Sequence, residues 1–139
     1  MEKLHLYLVR HCESLGNREN IFQGQLDLDI SATGEKQLAL LALRFRNIPI
    51  DAVYSSPLKR AYKTAEAVNL YHSLPIIKLP ELMEVDVGAL SGMKLDKAFA
   101  DYPVFAEKWQ NSPQNCIFPE GETTAEVYDR AKKALARVK

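Results

Sequence analysis

Arg10, His11 and Cys12 stand together at the end of an apolar run, in the stretch LYLVRHCESLGNR (residues 6–18). Two nucleophiles are therefore adjacent, with a cation on each side, and both are capable of attacking phosphorus. A cysteine does so as a thiolate, in a loop whose amides and arginine hold the phosphoryl oxygens. The spacing His-Cys-x5-Arg in HCESLGNR suits that chemistry, but Glu13 puts a carboxylate where a dianion would sit. A histidine attacks as the neutral imidazole, and neighbouring cations keep it neutral. Arg10 and Arg60 supply that charge and would neutralise phosphoryl oxygens as the transition state forms. Asn17 is a neutral donor for a phosphate oxygen. The leaving alkoxide needs a proton, so an acid is required, and Glu84 is the candidate.

These residues need elements that bring them together. KLHLYLV reads as a strand, nearly continuous in apolar residues as when both faces are covered. Ser31 opens a helix with Leu38, Leu41, Ala42 and Phe45 on one face. DAVYSS is a second strand, followed by Ser56 as N-cap and Pro57 as first helical residue. The helix from Pro57 buries Leu58, Ala61, Tyr62, Ala65 and Val68. PIIKLPEL is a third strand, and residues 94–111 are weakly helical and broken at Pro103. Residues 112–121 form a loop, and TTAE offers a capping box for a helix bearing Val127, Ala131, Ala134, Leu135 and Val138. The order β-α-β-α-β-loop-α-α argues for an α/β domain with a largely parallel sheet. Ligands bind such sheets beyond the C-terminal ends of the strands. His11 follows the first strand and Arg60 the second, within reach of one crevice.

The chain has 139 residues, the length of a single domain spanning 1–139. Its 18 basic and 18 acidic residues cancel, which gives no electrostatic case for nucleic acid or an anionic membrane. No spanning helix or signal peptide is read, so a cytoplasmic protein is expected. Cys12 and Cys116 lack metal-ligand spacing and are expected as reduced thiols.

Five stretches, in order along almost the whole chain, resemble the motifs of the histidine phosphatase superfamily, which includes cofactor-dependent phosphoglycerate mutases. LVRHCESLGN is similar to its Arg-His-Gly-Glu-Ser/Thr-x-x-Asn signature. FQGQLDLDISATGEKQ, VYSSPLKRAYKTAE, LMEVDVGALSG and PEGETTAEVYDRAKKAL resemble the segments that follow it. The resemblance implies a three-layer α/β/α sandwich with a mainly parallel sheet. It makes His11 the nucleophile, Glu84 the proton donor, Arg10 and Arg60 phosphate ligands, and Asn17 a supporting ligand. Gln23 and Gly24 fall in its substrate-facing loop. It implies a phosphomonoester hydrolase working on a small phosphorylated metabolite through a phosphohistidine, with no metal or nucleotide cofactor and an open oligomeric state. The link from Glu84 to PEGE is shorter than in the family's mutases, which favours hydrolysis over phosphoryl transfer to a second substrate.

Two departures stand out. Cys12 replaces the signature glycine, which is costly if that position needs φ > 0, and its thiol makes an oxidation-sensitive site an expectation. The sequence also stops before the family's second His-Gly, with His72 in the wrong place to serve, so the C-terminal strands are expected to be missing and the domain incomplete. A non-catalytic phosphate-binding protein is the alternative from another class. A cysteine phosphatase is the remaining one, against which stand Glu13, Glu19 after Arg18, and the lack of an Asp-Pro acid.

Overall fold

A computed structural model describes residues 2–139. Among these residues there are six helices and a small parallel sheet: α1 (Leu15–Arg18), α2 (Ala32–Phe45), β1 (Val53–Ser55), α3 (Lys59–Val68), β2 (Ile76–Lys78), α4 (Leu95–Asp101), α5 (Pro103–Asn111) and α6 (Thr124–Val138). β1 pairs with β2 in parallel, Val53 opposite Ile76 and Ser55 opposite Lys78, with α3 as the crossover. The expected α/β class holds.

Local signals set the helices that begin with a side-chain cap. Ser31 Oγ accepts the Gly34 amide at 3.0 Å and opens α2. Thr123 Oγ1 accepts the Glu126 amide at 3.1 Å and opens α6. The break expected at Pro103 is there: α4 ends at Asp101 and Pro103 starts α5, because a first helical position needs no N–H. α3 begins at Lys59, two residues later than its Ser-Pro signal suggests; Ser56 Oγ accepts the Leu58 amide at 3.3 Å, and Leu58 is the N-cap.

The first predicted strand does not form. No ladder bonds are made by residues 4–9 among the described residues, and Leu8 is 88% exposed. The apolar run calls for burial, but a strand exists only where another backbone pairs with it, and β1 pairs with β2 alone. Tyr7 still packs edge-on against Phe45 of α2, ring centroids 5.8 Å apart.

The main core is a cluster built mostly from loop residues and from α4 and α5. Phe22, Val87, Leu90, Ala98, Phe105, Cys116 and Phe118 are buried together. Phe105 packs against Phe22 and Phe118 with centroids 5.9 and 5.1 Å apart, joining α5 to the two loops. This cluster anchors the 85–90 segment that follows Glu84.

Candidate active site

His11 lies in the turn between the N-terminal segment and α1, half-buried. Its Nδ1 is 2.6 Å from the Cys12 carbonyl oxygen. A carbonyl only accepts, so Nδ1 carries the proton and the neutral ring leaves a lone pair on Nε2. Burial, then Arg60 and Arg10, hold its pKa below 6.5, while the carbonyl bond and Glu84 oppose them. Burial is thus the larger influence, with the arginines that the sequence suggests second. The lowered pKa keeps the imidazole neutral to lower pH than a free one. The acid limb of activity that depends on a neutral His11 is therefore expected below pH 6.5. A pH profile of kcat/KM with its acid limb above 6.5 contradicts this.

Cys12 has no positive φ, so replacing glycine costs no backbone strain here. It is buried, and burial pushes its thiol pKa up. A protonated, buried thiol is a poor nucleophile and a poor target for oxidants, which weighs against a cysteine phosphatase and against an oxidation-sensitive site at Cys12. The Cys12 amide donates to Thr64 Oγ1 at 3.0 Å, and Thr64 donates in turn to the Arg60 carbonyl at 2.7 Å. One hydroxyl therefore ties the histidine turn to α3, one helical turn from Arg60. Thr64→Val leaves the buried Cys12 amide without an acceptor, and a loss of about 1–3 kcal/mol in urea unfolding is the expected result.

Arg60 is only 2% exposed. Its Nη1 donates to the Leu26 carbonyl at 2.8 Å and its Nη2 to the Gly24 carbonyl at 2.6 Å. Burial lowers its pKa, and the Glu84 and Asp27 carboxylates raise it. Gly24 has φ +50°, and a Cβ there would stand 2.8 Å from the Val85 carbonyl oxygen. Only glycine lets this loop pass so close to the 85–87 backbone while presenting its carbonyl to Arg60.

His11, Arg60 and Glu84 line one cleft of about 160 Å³, with Ser56, Leu82 and Met83. The Glu84 carboxylate is exposed and accepts the Val85 amide at 2.9 Å. Arg10 is not among the residues lining that cleft; it lines a second hollow of about 250 Å³ with His11, Cys12, Gln37, Leu38, Leu41 and Thr64. Asn17 and Gln23 line neither. Asn17 Oδ1 accepts the Ser14 amide at 2.9 Å in the capping box of α1. Gln23 is buried, its Oε1 accepting from Ser14 Oγ at 2.6 Å. Glu13 accepts from Ser31 Oγ at 2.6 Å and holds the start of α2. His72 Nε2 donates to the Phe45 carbonyl at 2.8 Å, at the end of α2 and away from the cleft.

Two further residues bear on Glu84. Arg130 of α6 donates to the Glu81 carbonyl at 3.0 Å, the Glu84 carbonyl at 2.9 Å and the Met83 carbonyl. The Glu122 carboxylate receives Arg130 at 2.8 Å on each oxygen. No spacing rule marks this pair, since Glu122 lies ahead of α6 and the groups it serves are about forty residues away in sequence.

The family model described as histidine phosphatase superfamily (branch 1) matches residues 6–139. The chain is 40% identical to phosphoserine phosphatase 1 of Hydrogenobacter thermophilus over 134 residues, 96% of this chain and 64% of that protein. Among solved structures it resembles the alpha-ribazole phosphatase from Shigella flexneri, at TM-score 0.83 and 26% identity, over 94% of this chain and 64% of the other. It also resembles the mycobacterial glucosyl-3-phosphoglycerate phosphatase, at TM-score 0.81 and 26% identity, over 92% and 60%. The chain thus spans less than two thirds of the length of each. No helix among the described residues is long and apolar enough to cross a membrane.

Proposed function

Because this chain belongs to the histidine phosphatase superfamily, we propose that it hydrolyses small phosphate monoesters through a phosphohistidine on His11. The observation that carries this is the Nδ1 bond to the Cys12 carbonyl, which leaves Nε2 unprotonated beside the cleft that holds Arg60 and Glu84. In the first step Nε2 attacks phosphorus in line and the P–O ester bond breaks. The leaving oxygen takes the proton of the Glu84 carboxyl. Arg60, already fixed by two carbonyls, takes up the charge spreading onto the phosphoryl oxygens, and Arg10, in the neighbouring hollow that His11 also lines, adds positive charge. In the second step water attacks phosphorus, the N–P bond returns its pair to Nε2, and the water proton passes to the Glu84 carboxylate.

Asn17 is assigned here to hold the His11 turn through the α1 cap, and Gln23 and Gly24 to shape the loop that carries Arg60. The three related phosphatases bear the names of three different phosphate esters, so the reading extends to a phosphorylated small metabolite and no further. A release assay on a panel of monoesters tests it, with 3-phosphoglycerate and its bisphosphate primer as the transfer arm. Inorganic phosphate from several esters is the expected result. Phosphoryl exchange between phosphoglycerates without net release would make the protein a mutase.

A further inference from the structure

The Arg130 guanidinium has five N–H groups, and all five are taken. Nε and one Nη2 hydrogen go to the two Glu122 oxygens, the other Nη2 hydrogen goes to the Glu84 carbonyl, and Nη1 serves the Glu81 and Met83 carbonyls. Nothing is left for a phosphate, so Arg130 is not a substrate ligand. Glu122 is spent in the same way. Its Oε1 also accepts the Asp86 amide at 2.9 Å, and its own amide donates to the Asp86 carbonyl at 2.9 Å. Arg130 thus grips the backbone up to Glu84, and Glu122 grips it two residues beyond. Both side chains are 19% exposed and the pair is bidentate, unlike a solvated surface pair.

We propose that Arg130, held by Glu122, is the positioning residue for the proton donor: it fixes the backbone on both sides of Glu84 so that the carboxyl faces the same cleft as His11. The clamp is needed because the 81–86 segment has little regular structure, with one 3-10 turn over Pro80–Leu82 and none at Glu84. An acid carried on such a segment is displaced easily, and small misplacements are costly in a proton transfer. The proposal rests on the reading of Glu84 as the acid.

The test uses two esters. 4-Nitrophenyl phosphate has a leaving group that departs with little help, and β-glycerol phosphate releases an alkoxide that needs the proton. Glu84→Gln sets the reference, expected to lose on the order of 10²-fold or more in kcat/KM on the alkyl ester and much less on the aryl one. Arg130→Met is expected to show the same selective loss, Arg130→Lys to restore little of it, and the double variant with Glu84→Gln to be no slower than Glu84→Gln alone. Equal losses by Arg130→Met on both esters, with Glu84→Gln selective, would overturn the proposal and leave the acid assignment standing. A Glu84→Gln chain that is not selective overturns both. Amide exchange at Val85 and Asp86 reads the clamp without turnover. It is expected to rise in Arg130→Met and in Glu122→Gln while exchange in α3 stays unchanged, and unchanged exchange at both amides would overturn the proposal.

Discussion

His11→Ala is expected to take up no acid-labile phosphate when incubated with a reactive phosphate ester, while the parent chain takes up one per molecule. The measurement is intact mass of both, before and after acid. Removing the nucleophile removes the only route to the intermediate, so turnover is expected to fall on the order of 10⁴-fold or more. The fold is expected to survive. His11 is half-buried, and its side chain bonds the adjacent carbonyl. Its loss leaves one carbonyl to water or to nothing, a cost of about 1 kcal/mol. A labelled His11→Ala chain would sink the assignment. Cys12 is a weak replacement, since its buried thiol stays protonated and thiol attack needs the thiolate. An unlabelled parent with an intact fold would instead move the protein to the phosphate-binding alternative.

How far the sequence reveals such a site depends on where each signal resides. α2 and α6 were legible because cap and periodicity are local: Ser31 and Thr123 each bond an amide three residues on. α3 was legible except at its start, where Ser56 behaves as a turn residue rather than a cap. The 4–9 segment was not, because apolar residue types report a demand for burial and say nothing of which backbone will pair. At the site, His11, Arg60 and Glu84 were named by residue type and order along the chain, and one cleft holds all three. Arg10 lines a different hollow with His11, which spacing alone does not show. Thr64, Glu122 and Arg130 went unnoticed because their work is done by hydrogen bonds to distant backbone, with partners from Cys12 to Asp86.

Arg60→Lys is the second substitution with a large expected effect, and its two consequences separate cleanly. Arg60 has a rigid planar fork, and two of its nitrogens already hold the Gly24 and Leu26 carbonyls. Arg60 also lines the cleft, so the remaining N–H groups of the fork are left for a ligand there. A lysine ammonium keeps the charge but concentrates three donors on one atom, so it cannot span both carbonyls and a phosphate. Transition-state charge then loses a preorganised partner, and kcat/KM is expected to fall about 10²–10³-fold, equivalent to about 2.7–4 kcal/mol. Gly24 is buried, and its carbonyl left unpaired adds about 1–3 kcal/mol of lost stability. The two are told apart by assaying well below the unfolding transition, where a folded variant still shows the full kinetic loss. Because the lost interaction is with charge that develops during transfer, the loss is expected mainly in kcat rather than KM. A variant that is destabilised in urea yet turns over at the parent rate would make Arg60 a structural arginine, one that holds the 24–26 loop and nothing more.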